Sequence, residues 1–369
     1  MKTSFLLPES SFIVTIMNIA FLLTFFIFWF FSRRIQTALM TRQVSRALIK
    51  LRSLRDKAKR TVISAINEVG RPEKDPLPRL ESLLQFFTVE PVSMDPSGVV
   101  QRIEHVLDTA DNRIKNEVKA IAPHADEVQL ENLQNLVEAT QALNNMYRVV
   151  RHYYLLGKKE GTLYSTVQIQ MQLPAIMEEA EAYVSFLDAF KQGKPVGDGI
   201  GALTASKLMA DHEKFEVAKD MVAAETTLDG RRVIVTKAKG PGGTVGKSGD
   251  AVSNLIEANS DKLSLVVMID AGLKLEGEDS GDIAEGVGAA IGGIGIDKYK
   301  IEEAATKYKI PVYAIVIKES LKEVLAPITE KVSQAADSVI SRLGSVIQER
   351  TREGDTVIVV GVGNTIGIA

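Results

Sequence analysis

Residues 266–295 read VVMIDAGLKLEGEDSGDIAEGVGAAIGGIG, and this stretch decides how the second half of the chain is interpreted. It begins as an apolar run, ends that run on Asp270, and becomes rich in Gly and Ala after several more carboxylates. Those carboxylates are Glu276, Glu278, Asp279, Asp282 and Glu285. Core elements are rarely so acidic, so we predict a functional site here, with an acidic surface loop as the alternative.

Short Val/Ile-rich runs alternate with helical patterns through the second half of the chain. We predict strands over residues 232–237, 263–270, 310–318 and 356–360, and helices over residues 202–209, 214–224, 253–259, 298–307 and 321–350. Near-continuous apolar strands separated by helices are typical of a mostly parallel sheet buried on both faces. Residues 191–369 are therefore predicted to form an α/β domain with a mostly parallel sheet.

Three of the predicted strands are followed by unusual loops. These are residues 239–250 (KGPGGTVGKSGD), the acidic stretch after Asp270, and residues 361–365 (GVGNT). Because ligands bind beyond the carboxyl ends of parallel strands, we expect the three loops to meet at one site. Asp270 ends a buried strand, where desolvation would raise its pKa and suit it to general acid–base catalysis. A structural cap of the following turn is the alternative role.

The loop at residues 239–250 does not match a phosphate-binding loop, because that motif needs glycine where this chain has Pro241. The backbone amides of Gly242, Gly243 and Gly246, together with Lys247, remain a candidate nest for an anion. Ser248 is a further candidate ligand-binding residue, or a nucleophile paired with Lys247. A plain flexible loop is the alternative interpretation.

The C-terminal GVGNT adds Gly361, Gly363 and Asn364 to the candidate ligand-binding residues. A dinucleotide-binding motif is not supported, because it needs glycine at the position of Ile366.

The acidic stretch makes a hard divalent cation such as Mg²⁺ the candidate cofactor. Its candidate oxygen ligands are Asp270, Glu276 and Glu278. After Gly281, the small residues Ala284, Gly288 and Gly292 recur at i, i+4 and predict a helix with one face nearly free of side chains. Such a face suits close approach of a ligand, or ordinary tight packing against a helix or sheet.

Residues 12–31 (FIVTIMNIAFLLTFFIFWFF) are uncharged and long enough to span a bilayer as one helix, which makes membrane lipid the first expected partner. A cleaved signal peptide is the alternative, but the long apolar run and its Phe-rich end favour a retained anchor. Lys and Arg crowd the residues that follow, so the positive-inside rule places the N-terminus outside and the bulk of the chain in the cytoplasm, as a single-pass protein of the cell membrane.

Four segments are predicted. They are an anchor at residues 1–32, a basic juxtamembrane helix and linker at 33–78, an all-α helical bundle at 79–190, and the α/β domain at 191–369. The bundle is interpreted as a spacer or as a module for homo-oligomerisation. A formal net charge of −3 argues against a nucleic-acid binder, and the absence of cysteine excludes disulfides, zinc–thiolate sites and a cysteine nucleophile.

Long stretches of the second half resemble an archaeal family of membrane proteins, domain of unknown function 1512. The resemblance is carried by GDGIGALTASKLM, KGPGGTVGKSGD, IDAGLKLEGEDSGDIAEGVGAAIGG and KYKIEEAA. It implies an archaeal, membrane-anchored protein and brings no activity with it.

A weaker resemblance concerns chemistry. VVGVGNT, GDGIG and VVMIDAG are similar to three marks of hydrogenase-maturation-type peptidases, in a circularly permuted order. The chain has Gly197-Asp198 where that family has paired acids, and of the family's metal-binding histidines only His212 has a counterpart in this domain. This resemblance implies that Asp198 and Asp270 face one site as catalytic residues.

Two functions follow from these observations. The first is a membrane-anchored, cytoplasm-facing protein whose α/β domain binds a small anionic or metal-linked ligand, with hydrolase or peptidase character. The second is a membrane-tethered scaffold or regulatory module without catalysis.

Overall fold

The computed structural model describes residues 9–89, 98–160 and 163–369. They divide into two compact units, one formed by the chain up to Arg52 with Met146–Met177, the other by Ser53–Asn145 with Glu178–Ala369. This division differs from the four predicted segments, because part of the helical region belongs to the same unit as the α/β domain.

The N-terminal part is helical, as predicted. Its elements are α1 (Glu9–Ala65), a π-helical turn (Ile66–Gly70), α2 (Leu77–Leu83), α3 (Val99–Ile121), α4 (Glu127–Glu160) and α5 (Leu163–Gln192). The turn between α3 and α4 contains Pro123, and α4 begins with a reciprocal cap. The amide of Gln129 donates to the Asp126 carboxylate at 2.8 Å, and the amide of Asp126 donates to the Gln129 side chain at 3.0 Å.

Helix α1 continues without interruption from the apolar segment into the basic one. Its window Phe12–Trp29 is the only helical stretch of the described residues that is long and apolar enough to cross a membrane. The side chains along this window are exposed, whereas Val44 and Leu51, one heptad apart, are fully buried. Residues 1–8, which precede the span, lie outside the described residues.

The C-terminal α/β domain contains one mixed sheet of seven strands. After a 3₁₀ turn (Gly197–Gly199), its elements are α6 (Ile200–Leu208), β1 (Lys214–Ala218), β2 (Met221–Leu228), β3 (Arg231–Ala238), α7 (Ser248–Asn259), β4 (Leu263–Leu273), β5 (Ile283–Val287), α8 (Ile296–Tyr308), β6 (Val312–Glu319), α9 (Leu321–Leu325), α10 (Glu330–Arg350) and β7 (Thr356–Gly361). The strand order is β1-β2-β3-β7-β4-β6-β5. The central strands β3, β7, β4 and β6 are parallel, and the strands at both edges are antiparallel to their neighbours.

Helices cover both faces of this sheet. On one face, α6 and α10 pack against alternate residues such as Val267 and Ile315. On the other face, α7 and α8 pack against residues such as Val266 and Met268. Burial on both faces explains why the middles of the central strands are apolar at consecutive residues, and it confirms the predicted α/β fold class.

The helix predicted over residues 214–224 is wrong, because these residues form the β1–β2 hairpin. The chain turns at Asp220, whose φ is +57°, a value that Asp tolerates better than most residues. The next hairpin turns at Asp229-Gly230, where both residues have positive φ, as a two-residue turn between right-twisted strands requires. Ala, Lys and Glu gave residues 214–224 a helical composition that cross-strand pairing overrides.

The helix predicted from Gly281 to Gly292 is also wrong. Residues 283–287 form the edge strand β5, which pairs antiparallel with β6. Gly281 and Gly288 flank it with φ of +88° and +108°, which are turn conformations. Glycine weakens a helix, and here it supplies the turns at the two ends of a short strand.

The single helix predicted over residues 321–350 is two helices, because Pro327 interrupts it. Ala326, the residue before this proline, is extended (φ −92°, ψ 165°), as that position favours. Thr329 then caps α10 by accepting from the amide of Val332 at 3.4 Å.

Candidate functional site

The carboxyl ends of the parallel strands meet the turn that precedes α6, and glycines make this contact possible. A Cβ atom on Gly201 would overlap with the carbonyl oxygens of Ile269 and Val362. A Cβ atom on Gly363 would overlap with the carbonyl oxygen of Asp198, and Gly363 has a φ of +117°. The GDGIG and GVG segments therefore pack backbone against backbone, and this contact holds Asp198 beside the end of β4.

Asp198 and Asp270 line one cavity of about 360 Å³ at these strand ends. The Asp198 carboxylate accepts from the amide of Asn364 at 2.8 Å, and the Asp270 carboxylate accepts from the amide of Ala271 at 2.8 Å. Asp270 is 9% exposed, and no lysine or arginine of the described residues forms an ion pair with either aspartate. Each carboxyl can therefore form further hydrogen bonds with a ligand in the cavity.

Burial raises the pKa of both aspartates. For Asp270, burial and then the neighbouring Asp198 raise the pKa to about 7, against the opposing effect of the Ala271 amide. For Asp198, burial raises the pKa and the Asn364 amide lowers it. The charge of Asp198 therefore adds to burial in keeping Asp270 protonated up to near neutral pH.

A third carboxyl belongs to the same cluster. Glu319 ends β6 and is fully buried. Burial, followed by the charges of Glu323, Asp198 and Asp270, raises the pKa of Glu319 to about 8. The cluster therefore contains three acids that resist ionisation.

A second cavity of about 630 Å³ adjoins the first and shares Val245, Gly246, Gly292, Gly293 and Asp297 with it. It is formed by α3, α4 and the loops of the α/β domain. Its lining has three lysines and seven acids, which are Glu104, Asp108, Asp111, Glu131, Glu138, Asp220 and Asp297. Burial and the nearby Asp220 are the leading causes that raise the pKa of Glu131 to about 7. The lining favours positive charge and hydrogen-bond donors.

The structure does not support the anion nest predicted at residues 242–247. The amide of Gly243 donates to the Asn132 side chain at 3.0 Å, and the amide of Gly246 donates to the Thr244 hydroxyl at 3.1 Å. The Lys247 ammonium forms an ion pair with Asp108 of α3. These donors are already occupied, so the loop docks onto the helices.

Ser248 lines the aspartate cavity, but it is not paired with Lys247. Its hydroxyl lies 3.9 Å from the sulfur of Met221, while Lys247 is turned toward Asp108. The Ser–Lys nucleophile pair is therefore not formed.

Some of the remaining candidate ligand-binding residues line a cavity, and others pack against neighbouring residues. Gly243, Gly246 and Asn364 line the larger cavity. Gly242 packs against Glu131, and Gly361 packs against Gly201 and Ala205 of α6, and neither lines either of these two cavities.

The predicted metal ligands are not brought together. Glu278 accepts from the amide of Leu275 at 2.6 Å and pairs with Lys318 at 3.3 Å, and Glu276 is exposed. Within residues 9–89, 98–160 and 163–369 there is no group of three or more His, Cys, Asp or Glu side chains arranged to hold a metal ion. In the described structure Asp270, Glu276 and Glu278 therefore do not form one ligand set.

Glu319 and the acids of α3 and α4 were not among the site residues predicted from the sequence. The rule that singled out Asp270, an acid that ends a buried strand, applies equally to Glu319 at the end of IPVYAIVIKE. The acids of α3 and α4 had no such signal in the sequence. They come close to the α/β domain only through tertiary packing, which a local sequence pattern does not record.

Comparison with known proteins gave two family matches that cover most of the chain. Residues 18–193 match the model "Protein of unknown function (DUF1512) N-terminal domain", and residues 196–369 match "Domain of unknown function (DUF1512) C-terminal". The junction between them lies at the glycine-rich turn that was predicted to begin the α/β domain. No curated protein of similar sequence was found.

Proposed function

We propose that this chain, which belongs to the DUF1512 family, is a membrane-anchored protein whose C-terminal domain binds and acts on a small ligand at the aspartate cavity. One observation carries the proposal. Asp198 and Asp270 share a cavity of about 360 Å³ at the carboxyl ends of parallel strands, where α/β domains bind their ligands.

The chemistry proposed for this pair is general acid–base catalysis of a hydrolytic kind. A pKa of about 7 for Asp270 lies near the pH at which proton transfer in both directions is efficient. The ionised member of the pair accepts a proton from water, and the protonated member donates one to the leaving group. Coupled carboxyls with one shared proton perform this task in other hydrolases.

The ligand proposed is cationic or rich in hydrogen-bond donors. The seven acids and three lysines of the adjoining cavity make an approach that repels anions. A cationic ligand is proposed in place of the small anionic ligand expected from the sequence, since Lys247 and the amides of Gly243 and Gly246 already have partners.

Membrane anchoring is proposed for residues 12–31, with lipid as the partner. The exposed apolar side chains of Phe12–Trp29 support it, and the basic residues that follow support an N-terminus outside and a cytoplasmic C-terminal domain. An archaeal source and a homo-oligomer formed through the helical region remain expectations.

Thermal unfolding of the full chain in detergent tests the ligand proposal. The probes are methylamine, 1,4-diaminobutane and arginine amide, with acetate and inorganic phosphate as anionic counterparts. We expect the cationic probes to raise the unfolding midpoint, since a ligand at 100 times its Kd stabilises by about 2.7 kcal/mol.

The matched variants are Asp270→Asn and Asp279→Asn. Asp279 follows the same strand but is exposed, so its substitution should leave the shift unchanged, whereas Asp270→Asn should abolish it. Equal responses of the two variants would favour the non-catalytic scaffold, and stabilisation by the anions alone would contradict a cationic ligand.

A further inference from the structure

The carboxyl group of Glu319 has no hydrogen-bond partner in the described part of the chain. Both of its oxygens are buried and unpaired, and the residue is 0% exposed. It lies on the same face of β6 as Ile315 and Ile317, and one oxygen occupies the space that a Cβ atom on Gly197 would need. The carboxyl is therefore wedged beside the turn that carries Asp198.

The charged groups that face Glu319 are all acids. They come from three elements packed around it, namely Glu323 of α9, Asp198 of the 3₁₀ turn and Asp270 of β4. The carboxylate of Glu323 is already satisfied by three donors, which are the amide and hydroxyl of Ser320 and the hydroxyl of Ser280.

Nearby lysines do not compensate for these acids. Lys318 pairs with Glu278 at 3.3 Å, and the Lys274 ammonium donates to the carbonyl of Glu278 at 2.9 Å. An ionised carboxylate buried without a cation or a donor is very costly, and such a group takes up a proton instead.

We propose that Glu319 is a positioning residue that holds a proton next to Asp198 and Asp270, so that its neutral carboxyl lets one of the aspartates ionise. The effect of this proton on the aspartates matters only if the function proposed for them holds. The protonation of Glu319 itself does not depend on that function. Once Glu319 ionises, its charge opposes that of both aspartates and drives them toward the protonated form.

The sign of the resulting pH dependence follows from burial. The pKa of Glu319 is raised from 4.5 to about 8, so between these values the folded chain binds a proton that the unfolded chain releases. The stability of the fold therefore decreases as the pH rises through this window. Glu319→Gln keeps the shape of the neutral acid and removes the titration.

Unfolding midpoints of the full chain in detergent, measured from pH 5 to pH 9, test the proposal. We expect the wild type and the exposed control Glu276→Gln to lose stability with rising pH. The midpoint of Glu319→Gln should fall less between pH 5 and pH 9, and at pH 9 this variant should be more stable than the wild type. The proposal would be overturned if the midpoint of Glu319→Gln differed from that of the wild type by the same amount at every pH.

Infrared spectroscopy gives a second measurement, in which Asp270→Asn removes the other carboxyl that is protonated near pH 7. A protonated-carboxyl band that this variant retains should persist at pH 7 and disappear above pH 8. Its absence at pH 7 would overturn the proposal. Loss of ligand binding in Asp270→Asn is independent of both readouts, so failure of the proposed function remains distinguishable from failure of this inference.

Discussion

At the scale of single residues, the site depends on glycines as much as on acids. Gly201 and Gly363 allow the turn before α6 to touch the ends of β4 and β7. The acids could not converge without this contact, since a side chain at either position would separate the two backbones by the width of a methyl group. The arrangement of these acids therefore has a steric requirement that can be tested apart from their charge.

Substitution of Gly363 by Ala should destabilise the fold by at least about 2 kcal/mol, because the residue has a φ of +117° and its Cβ would overlap with the Asp198 carbonyl. Denaturant unfolding of the full chain measures the change. The matched control is Gly344→Ala, a helical glycine of α10 with no atom within 4 Å of the new Cβ, which should stabilise by roughly 0.5–1 kcal/mol. Equal effects at the two positions would contradict the steric role of Gly363.

At the scale of elements, the central sheet could be predicted from the sequence and its edges could not. The strands β3, β4, β6 and β7 are apolar on both faces, so their composition alone identifies them. The edge strands β1 and β5 are half exposed and short, so their Ala, Gly, Glu and Lys residues have no strand signature. Pairing with a neighbouring strand determines their structure, and one sequence read alone does not contain that information.

The candidate site followed the same pattern. Asp270 was predicted because it ends an apolar strand, whereas Asp198 depended on a family resemblance to a short motif. The larger cavity was not predicted, because Asp108 and Glu131 come from helices more than a hundred residues before the loop at residues 242–247 that they contact. Lys247 was predicted to bind an anion because its ion pair with Asp108, a residue distant in the sequence, could not be foreseen.

At the scale of the whole molecule, the chain joins an exposed apolar helix to a domain with a buried acidic site. Replacement of both Ile19 and Leu23 by Lys should prevent membrane insertion, because each change costs about 3 kcal/mol or more at the centre of a span. Resistance of the protein to extraction by alkaline carbonate measures the effect.

The control for this prediction places two lysines on the same helix beyond the apolar window, at Leu39 and Ile49, which are also exposed. This variant should remain in the membrane fraction. Extraction of the wild type by carbonate, or identical behaviour of the two double variants, would contradict an anchor at residues 12–31.

The titration of the Asp270 carboxyl tests the central claim most directly, because a coupled aspartate pair is what makes the cavity a site. Full-length protein with ¹³C in its aspartate carboxyls would be followed by NMR, with the Asp270 signal assigned by its loss in Asp270→Asn. We predict a midpoint near pH 7 in the wild type and a lower one in Asp198→Asn, which removes the neighbouring charge but leaves the burial. A wild-type midpoint near the ordinary value of 3.8, or one that Asp198→Asn leaves unchanged, would contradict the account.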